Sequence, residues 1–225
     1  MQTEAEKYLI KILKKLLTLK KGVIKIINLG AAKSVVIEED LKKSGLKFIC
    51  DRSDINDCKV DKSYVKRCYT CSLEDMKPIQ SNSYTFAFAN FVMEHITDIK
   101  KMAKETSRII EKEGNLVISL PNPQAPEFVV AKKTSTKFHQ LFRKKGHDEA
   151  YPVNYAYKSI ENFIAIMEKN NWRLIEKKYF PATYSYLYRF PLIKLLSRVY
   201  DRMTDYFQAQ RLLGHVVLHF ENIKD

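Results

Sequence analysis

The chain has 225 residues, of which 45% are hydrophobic and 29% are charged, and its 39 Lys and Arg residues exceed its 26 Asp and Glu residues by a net charge of +13. This length suits one domain, and the composition excludes a disordered, collagen-like or low-complexity chain. No apolar run approaches the roughly 18–20 residues that a membrane-spanning helix requires, and the opening MQTEAEKYL lacks the pattern of a signal peptide. We therefore expect one cytoplasmic domain over residues 1–225, with a basic surface that favours an anionic partner.

The spacing of apolar residues predicts alternating helices and strands in the first half of the chain. Helical spacing predicts a helix over 4–20, and a β-rich run follows at 23–29. A helix-compatible stretch then extends to about Lys43. Three strands are predicted next, at KFIC (47–50), VKRCYT (65–70) and YTFAFAN (84–90). A helix over 98–114 and the strand NLVISL (115–120) complete this half.

The second half departs from this alternation and then resumes it. Residues 121–150 are rich in Pro and lose regular apolar spacing. A helix is predicted over 159–171, a strand over 172–180, a long helical stretch over 191–213 and a last strand over 215–220. Strands alternating with helices are typical of βαβ units around a mainly parallel sheet, so the fold class is α/β.

Four cysteines lie close together in the sequence, at positions 50, 58, 68 and 71. The Cys68-x-x-Cys71 pair, joined by Cys50 and Cys58, has the residue types of a zinc site. However, Cys50 and Cys68 lie in predicted strands, which favours buried reduced thiols. We expect no metal.

Ligands of parallel sheets bind beyond the carboxyl ends of the strands. GAAKS (30–34) follows the first strand, and its small residues let a ligand approach the backbone N–H groups at a helix start. Asp51 is predicted to follow the second strand, where a carboxylate accepts hydrogen bonds from a ribose diol. Neither the P-loop nor the dinucleotide fingerprint is present, because each needs glycines that this loop lacks.

The order of motifs resembles the class I S-adenosylmethionine-dependent methyltransferases, of the type-11-like group. The similarity covers residues 23–122 and, more loosely, 147–221. Its best part is SYTFAF, VMEHITD, RIIEKEGNLVIS and PN, in the family's order and spacing within residues 71–123. The resemblance implies a Rossmann-like three-layer sandwich, whose seven-stranded, mostly parallel sheet has an antiparallel last strand and helices on both faces.

The resemblance also implies S-adenosylmethionine as the cofactor and S-adenosylhomocysteine as its product. By position, the family's cofactor-binding residues fall on Asn28, Gly30, Ala31, Ala32, Ser34, Asp51, Ser72, Leu73 and Asn90. Asp51 would bind the ribose, Ser72 and Leu73 would lie beside the adenine, and Asn90 would flank the sulfonium. The family usually has three glycines in the loop and an acid at position 28, and Thr85 replaces the Asp of its "FD" motif.

Methyl transfer from a sulfonium needs no acid for the leaving group, so alignment of the two reactants supplies most of the acceleration. A nucleophile that needs a base would have His95, His139 and His147 as candidates. No catalytic residue is identified beyond these three.

Three functions remain open from the sequence. The favoured one is methyl transfer to an unidentified small-molecule, glycan or lipid-intermediate acceptor. The alternatives are a nucleic-acid methyltransferase or binder, suggested by the charge, and a methyltransferase fold that has lost its cofactor, suggested by the glycine-poor loop.

Regions outside the core residues 23–120 carry the predicted substrate-side elements. Residues 1–22 are predicted to form a lid helix, for which contact with a membrane surface is an alternative, and 121–157 and 180–213 form variable segments beside the substrate. Residues 1–21 carry six Lys and two Glu, and residues 132–146 carry six Lys and Arg and no acid. This local charge favours an anionic acceptor. The oligomeric state is not predicted.

Overall fold

The computed structural model describes residues 2–133, 153–184 and 191–224 and contains a seven-stranded sheet in the order β3-β2-β1-β4-β5-β7-β6. The strands are β1 (Ile24–Leu29), β2 (Phe48–Asp54), β3 (Val65–Thr70), β4 (Tyr84–Asn90), β5 (Ile110–Pro121), β6 (Trp172–Phe180) and β7 (His215–Asn222). β7 runs antiparallel to both of its neighbours, whereas the pairs among β1 to β5 are parallel. The predicted mixed sheet with an antiparallel last strand is confirmed.

Six helices of the described residues surround this sheet. They are α1 (Glu4–Leu19), α2 (Val36–Lys43), α3 (Ile99–Ile109), α4 (Pro126–Lys133), α5 (Ile160–Glu168) and α6 (Pro191–Tyr206), with short 3-10 turns at Met93–His95 and Gln210–Leu212. α1 begins with a capping box, because the Thr3 side chain accepts from the amide of Glu6 and the Glu6 side chain accepts from the amide of Thr3.

The apolar core is divided by the sheet into two clusters. On one face, Leu9 and Leu13 of α1 and Leu41 of α2 pack with Phe86 and Phe88 of β4. On the other face, α3 and α5 pack against the sheet through a second cluster that contains Met102, Ala103, Phe163, Met167 and Trp172. Helices therefore cover both faces, and the predicted three-layer sandwich is confirmed.

Most of α1 packs against one face of the sheet. Its buried residues are Ala5, Leu9, Ile10, Ile12, Leu13 and Leu17. Only its first turn reaches the carboxyl edge of the parallel strands, where the Glu6 carboxylate accepts a hydrogen bond from Asn90 Nδ2 at 2.9 Å. Most of α1 is thus packed in the core, and its first turn lies at the carboxyl edge of the sheet.

Three predicted boundaries are wrong. The long helix predicted over 191–213 ends at Tyr206, and Gln210–Leu212 forms a separate 3-10 turn. The second strand does not end at Cys50 but continues to Asp54, because the charge of Arg52 is buried against an acid of α2. The helix predicted over 98–114 ends at Ile109, because Ile110 already pairs with Tyr84 at the start of β4.

The prediction of reduced thiols is wrong for two of the four cysteines. Cys58, in the loop after β2, forms a disulfide with Cys68 of β3. Cys50 and Cys71 are free, and Cys50 is fully buried. The disulfide ties the loop that leaves β2 to the neighbouring edge strand.

Candidate functional site

The loop after β1 adopts two left-handed backbone conformations. Gly30 has φ +68°, and a Cβ built on it would lie 2.5 Å from a methyl carbon of Val92. Glycine is therefore required here both by the backbone and by the space. Ala32 has φ +44°, a conformation that L-residues adopt only with some strain.

Hydrogen bonds from β2 hold this loop. The amides of Gly30 and Ala31 donate to the Ser53 carbonyl at 2.8 and 3.0 Å. The next amide, that of Ala32, donates to Asp54 Oδ2 at 2.9 Å. Three successive amides are thus bonded to the last two residues of β2, which fixes the strained loop against the neighbouring strand.

The loop carbonyls are held by Arg52, whose side chain is fully buried. Its guanidinium donates to the carbonyls of Ala31, Ala32 and Ser34. Its Nε lies 3.6 Å from an oxygen of Glu38 in α2, which is buried as well. A buried guanidinium therefore fixes the carbonyl groups of this loop.

Asn28 belongs to this buried network. Its Nδ2 donates to Glu38 Oε1 at 2.8 Å. Burial raises the pKa of Glu38, while the hydrogen bond from Asn28 and the charge of Arg52 lower it. The amide of Asn28 is thus directed toward α2.

The structure places Asp51 away from the strand end at which the sequence analysis placed it. Asp51 pairs with Ile27 inside the sheet, three residues before β2 ends. Its Oδ2 accepts from the hydroxyl of Tyr84 at 2.7 Å, and its other oxygen is buried without a hydrogen-bond partner. The expected position of Asp51 at the carboxyl edge is therefore wrong, because β2 is longer than predicted.

Asp54 is the carboxylate that stands at the carboxyl end of β2. Its two oxygens accept from the amides of Ala32 and Asn56, both at 2.9 Å. Each carboxylate oxygen has a second lone pair, so the side chain retains acceptor capacity. The sequence did not indicate Asp54, because the charge of Arg52 suggested that the strand ends earlier.

The residues that follow β3 lie beside Asp54. The Cys71 amide donates to the Asp54 carbonyl at 2.9 Å. Ser72 Oγ then accepts from the Glu74 amide at 3.1 Å, and Leu73 is buried in the core. Ser72 and Leu73 are thus close to the end of β2, as a ligand that contacts both Asp54 and these two residues would require.

A second polar group lies at the end of β4. Asn90 donates from Nδ2 to Glu6 and accepts at Oδ1 from the hydroxyl of Ser119 on β5. Glu6 is half-buried and lies 84 residues from Asn90 in the sequence. Glu6 was not predicted from the sequence, because nothing in the pattern of α1 indicates which strand end its first turn meets.

Of the three candidate bases, the structure describes only His95. It lies in the 3-10 turn after β4, where its carbonyl accepts from Asn154 Nδ2 at 2.8 Å. His139 and His147 lie outside the described residues.

Three other titratable groups are buried near the carboxyl edge. Burial raises the pKa of Glu94 to about 7 and that of Glu127 to about 7. Burial lowers the pKa of His215 to about 3, and its ring packs 4.6 Å from that of Phe91. His215 is therefore neutral at physiological pH.

A cavity of about 360 Å³ lies beyond the ends of β5 and β6. It is lined by Asn122, Gln124, Ser159, Glu161, Tyr179, Gln210 and Arg211.

Within the described ranges, no group of three His, Cys, Asp or Glu side chains has the arrangement of a metal site. Among the described helices, none is long and apolar enough to cross a bilayer.

This geometry, with a loop after β1 and an acid at the end of β2 in a sheet whose last strand is antiparallel, defines a Rossmann-like fold of the methyltransferase type. Residues 35–118 match the family model described as a methyltransferase domain. The match begins directly after Ser34, so the glycine-poor loop is outside it. No curated protein sequence matches the chain significantly.

Solved structures are similar over nearly the whole chain. A putative sarcosine dimethylglycine methyltransferase from Galdieria sulphuraria is 14% identical with a TM-score of 0.61, covering 98% of this chain and 86% of the other. A SAM-dependent methyltransferase from Archaeoglobus fulgidus is 14% identical with a TM-score of 0.59, covering 96% and 94%. Geranyl diphosphate C-methyltransferase from Streptomyces coelicolor A3(2) is 13% identical with a TM-score of 0.58, covering 98% and 81%.

At these identities the structures show a shared fold. Together with the domain match, they confirm the resemblance to the class I S-adenosylmethionine-dependent methyltransferase superfamily.

Proposed function

We propose that the protein binds S-adenosylmethionine at the carboxyl edge of β1, β2 and β4 and transfers its methyl group to an acceptor. The observation that carries this proposal is the position of Asp54, a carboxylate at the end of β2 hydrogen-bonded to the loop that follows Gly30. The bound cofactor supplies an electrophilic methyl group on a cationic sulfonium.

The described residues fit the adenosine half of this cofactor. Asp54 has lone pairs to accept from two ribose hydroxyls, and Ser72 and Leu73 follow the next strand toward the sheet edge. We assign the ribose to Asp54 and not to Asp51, whose carboxylate is held by Tyr84 inside the sheet.

Glu6 fits the methionine half. The family's acid at position 28 is absent, and the Asn28 amide is bound to Glu38. The Glu6 carboxylate at Asn90 restores a negative charge next to the end of β4, where a sulfonium would lie. An anion at this point attracts the cationic cofactor more than its neutral thioether product.

For the acceptor we propose an anionic small molecule, glycan or lipid intermediate. The cavity beyond β5 and β6 is lined by the cation Arg211 and by Glu161, whose carboxylate is 3.6 Å from the Lys177 ammonium, and it has room for part of such a molecule. A structural neighbour, the geranyl diphosphate C-methyltransferase, was solved with a diphosphate ligand and S-adenosylhomocysteine, so this fold accommodates an anionic acceptor. His95 remains the described candidate for a base.

A fold that has lost its cofactor is a second candidate function, and a specific observation favours it. Val92 covers Gly30, and the amides of residues 30–32 are all bonded to β2. A ligand that approaches this loop would therefore find few free donors, unless Val92 moves.

Calorimetric titration with S-adenosylmethionine and S-adenosylhomocysteine separates the two functions. We expect binding by the wild-type protein and a loss of at least about tenfold in affinity in Asp54→Asn, since one buried charge-assisted hydrogen bond contributes about 1.5–3 kcal/mol. Asp51→Asn is the matched control and should bind like the wild type. Absence of binding at millimolar ligand would reject the methyltransferase function in favour of the second candidate, and a loss in Asp51→Asn alone would return the ribose to Asp51.

A further inference from the structure

Helix α6 is turned with its polar side toward the protein. Ser197 and Thr204 are 3% and 4% exposed. Between them, the half-buried Asp201 accepts at Oδ2 from the Tyr184 amide at 2.8 Å. A surface helix of a globular protein ordinarily buries an apolar stripe, so α6 is inverted with respect to that rule.

Among the described side chains, five large apolar residues of α6 and the phenylalanine that follows it face solvent. The exposed fractions are 67% for Leu195, 68% for Leu196, 48% for Val199, 55% for Met203, 82% for Tyr206 and 69% for Phe207. At 3.6 residues per turn these positions fill one sector of about 120° along about 18 Å of helix. Scattered exposed apolar residues need no explanation, but a continuous sector of this size indicates a contact with another apolar phase.

Cations border this sector on one side. Arg198 and Arg202 are both exposed and lie along one edge of the apolar residues in the helical projection. The Arg198 guanidinium rests on the Tyr184 ring, with its carbon 4.8 Å from the ring centroid. Residues 191–212 contain four Lys and Arg and two Asp, and one of these acids, Asp201, is turned inward.

We propose that the exposed face of α6 binds the surface of an anionic lipid bilayer. A single helix with an apolar sector, two bordering arginines and terminal aromatic residues has the features of a helix that lies in the interfacial plane. Tyr206, at its end, is of the aromatic type that lies at the level of the headgroups, and Phe207 adds an apolar ring to the inserted side. The two exposed arginines complement the negative surface potential of anionic lipids.

This orientation would bring the carboxyl edge of the sheet close to the lipid headgroups. α6 contacts Tyr184, four residues after β6 ends, and leads through Gln210–Leu212 to His215, which pairs with Pro121 at the end of β5. The lipid contact does not rest on the proposed function, since the helix would bind a bilayer whether or not the chain transfers a methyl group.

Co-sedimentation with lipid vesicles tests this proposal. We expect the full chain to bind phosphatidylcholine vesicles that contain phosphatidylglycerol about thirtyfold more tightly than vesicles of pure phosphatidylcholine, from about 1 kcal/mol for each of two arginines. Leu196→Gln/Met203→Gln should weaken binding to both kinds of vesicle by at least about tenfold. Arg198→Gln/Arg202→Gln should remove only the preference for anionic vesicles.

The matched control is Val23→Gln/Ile55→Gln, which changes two exposed apolar residues outside α6 and should leave vesicle binding unchanged. Circular dichroism and thermal melting of each variant verify that the fold is kept. The proposal is overturned if the wild type does not sediment with anionic vesicles, or if the control variant loses as much binding as the α6 variant. It is also overturned if light scattering shows a wild-type dimer that Leu196→Gln/Met203→Gln dissociates while vesicle binding is absent, because the occupant is then a second copy.

Discussion

The Ala32 amide donates to the Asp54 carboxylate at 2.9 Å, and this bond joins the strained loop after β1 to the end of β2. The same loop is held from the other side by the buried guanidinium of Arg52. The loop, which contains a single glycine, is therefore shaped by its neighbouring strand.

Glu6→Gln tests the role of the first turn of α1. Glutamine preserves the capping box with Thr3, so the helix start should remain intact. The affinity for cationic S-adenosylmethionine should fall about fivefold, from the loss of about 1 kcal/mol of attraction, while that for neutral S-adenosylhomocysteine should change little. Calorimetry with both ligands measures this difference.

Glu4→Gln is the control for that measurement. Glu4 lies in the same turn and undergoes the same change of charge, but its carboxylate is exposed and paired with Lys7. Equal losses for both ligands, or a loss in Glu4→Gln as large as that in Glu6→Gln, would contradict a local role for Glu6.

The Arg52–Glu38 pair is predicted to stabilise the fold through mutual dependence. Arg52→Met should lower the free energy of unfolding by about 3–5 kcal/mol, because it leaves Glu38 buried without its cation and three carbonyls without a donor. Arg52→Met/Glu38→Leu should recover part of that loss, since no unpaired charge remains. Urea unfolding of the two single variants and the double variant gives the coupling energy, and additive losses would argue against the pair.

Glu94 should make stability depend on pH. Burial raises the pKa of its carboxyl from 4.5 to about 7, so the folded state accommodates the neutral form. The neutral carboxyl therefore costs no stability below about pH 4.5, whereas its ionisation lowers the free energy of unfolding as the pH rises through 7. Glu94→Gln should therefore be more stable than the wild type at pH 8, by up to about 3 kcal/mol, and equal to it near pH 4.

Thermal melts at several pH values measure the Glu94 effect. Glu168→Gln, an exposed change on α5, serves as the control and should follow the wild type at every pH. A Glu94→Gln variant that is less stable than the wild type at pH 8 would show that the ionised carboxylate is needed by the fold.

The fold could be predicted from the sequence further than the site could. The alternation of apolar patterns gave most strands and helices, and Gly30 lies where the loop after the first strand was expected. The end of β2 was misplaced because a charge normally marks the boundary of a strand. The sequence does not reveal that Arg52 contacts Glu38, which lies 14 residues earlier in α2. The contact between Glu6 and Asn90 was equally hidden, because it depends on how α1 is laid across the sheet.

The burial of α1 has a consequence for the exchange of ligands. The helix contributes Leu9, Leu13 and Leu17 to the core, so its departure from the sheet would amount to partial unfolding. Of the described residues before Leu9 only Ala5 is buried, so this end of the helix, which includes Thr3 and Glu6, can fray at a much smaller cost. The residence time of a molecule held under this end of the helix would therefore be governed by the opening of a single helical turn, a motion much faster than the release of a whole lid.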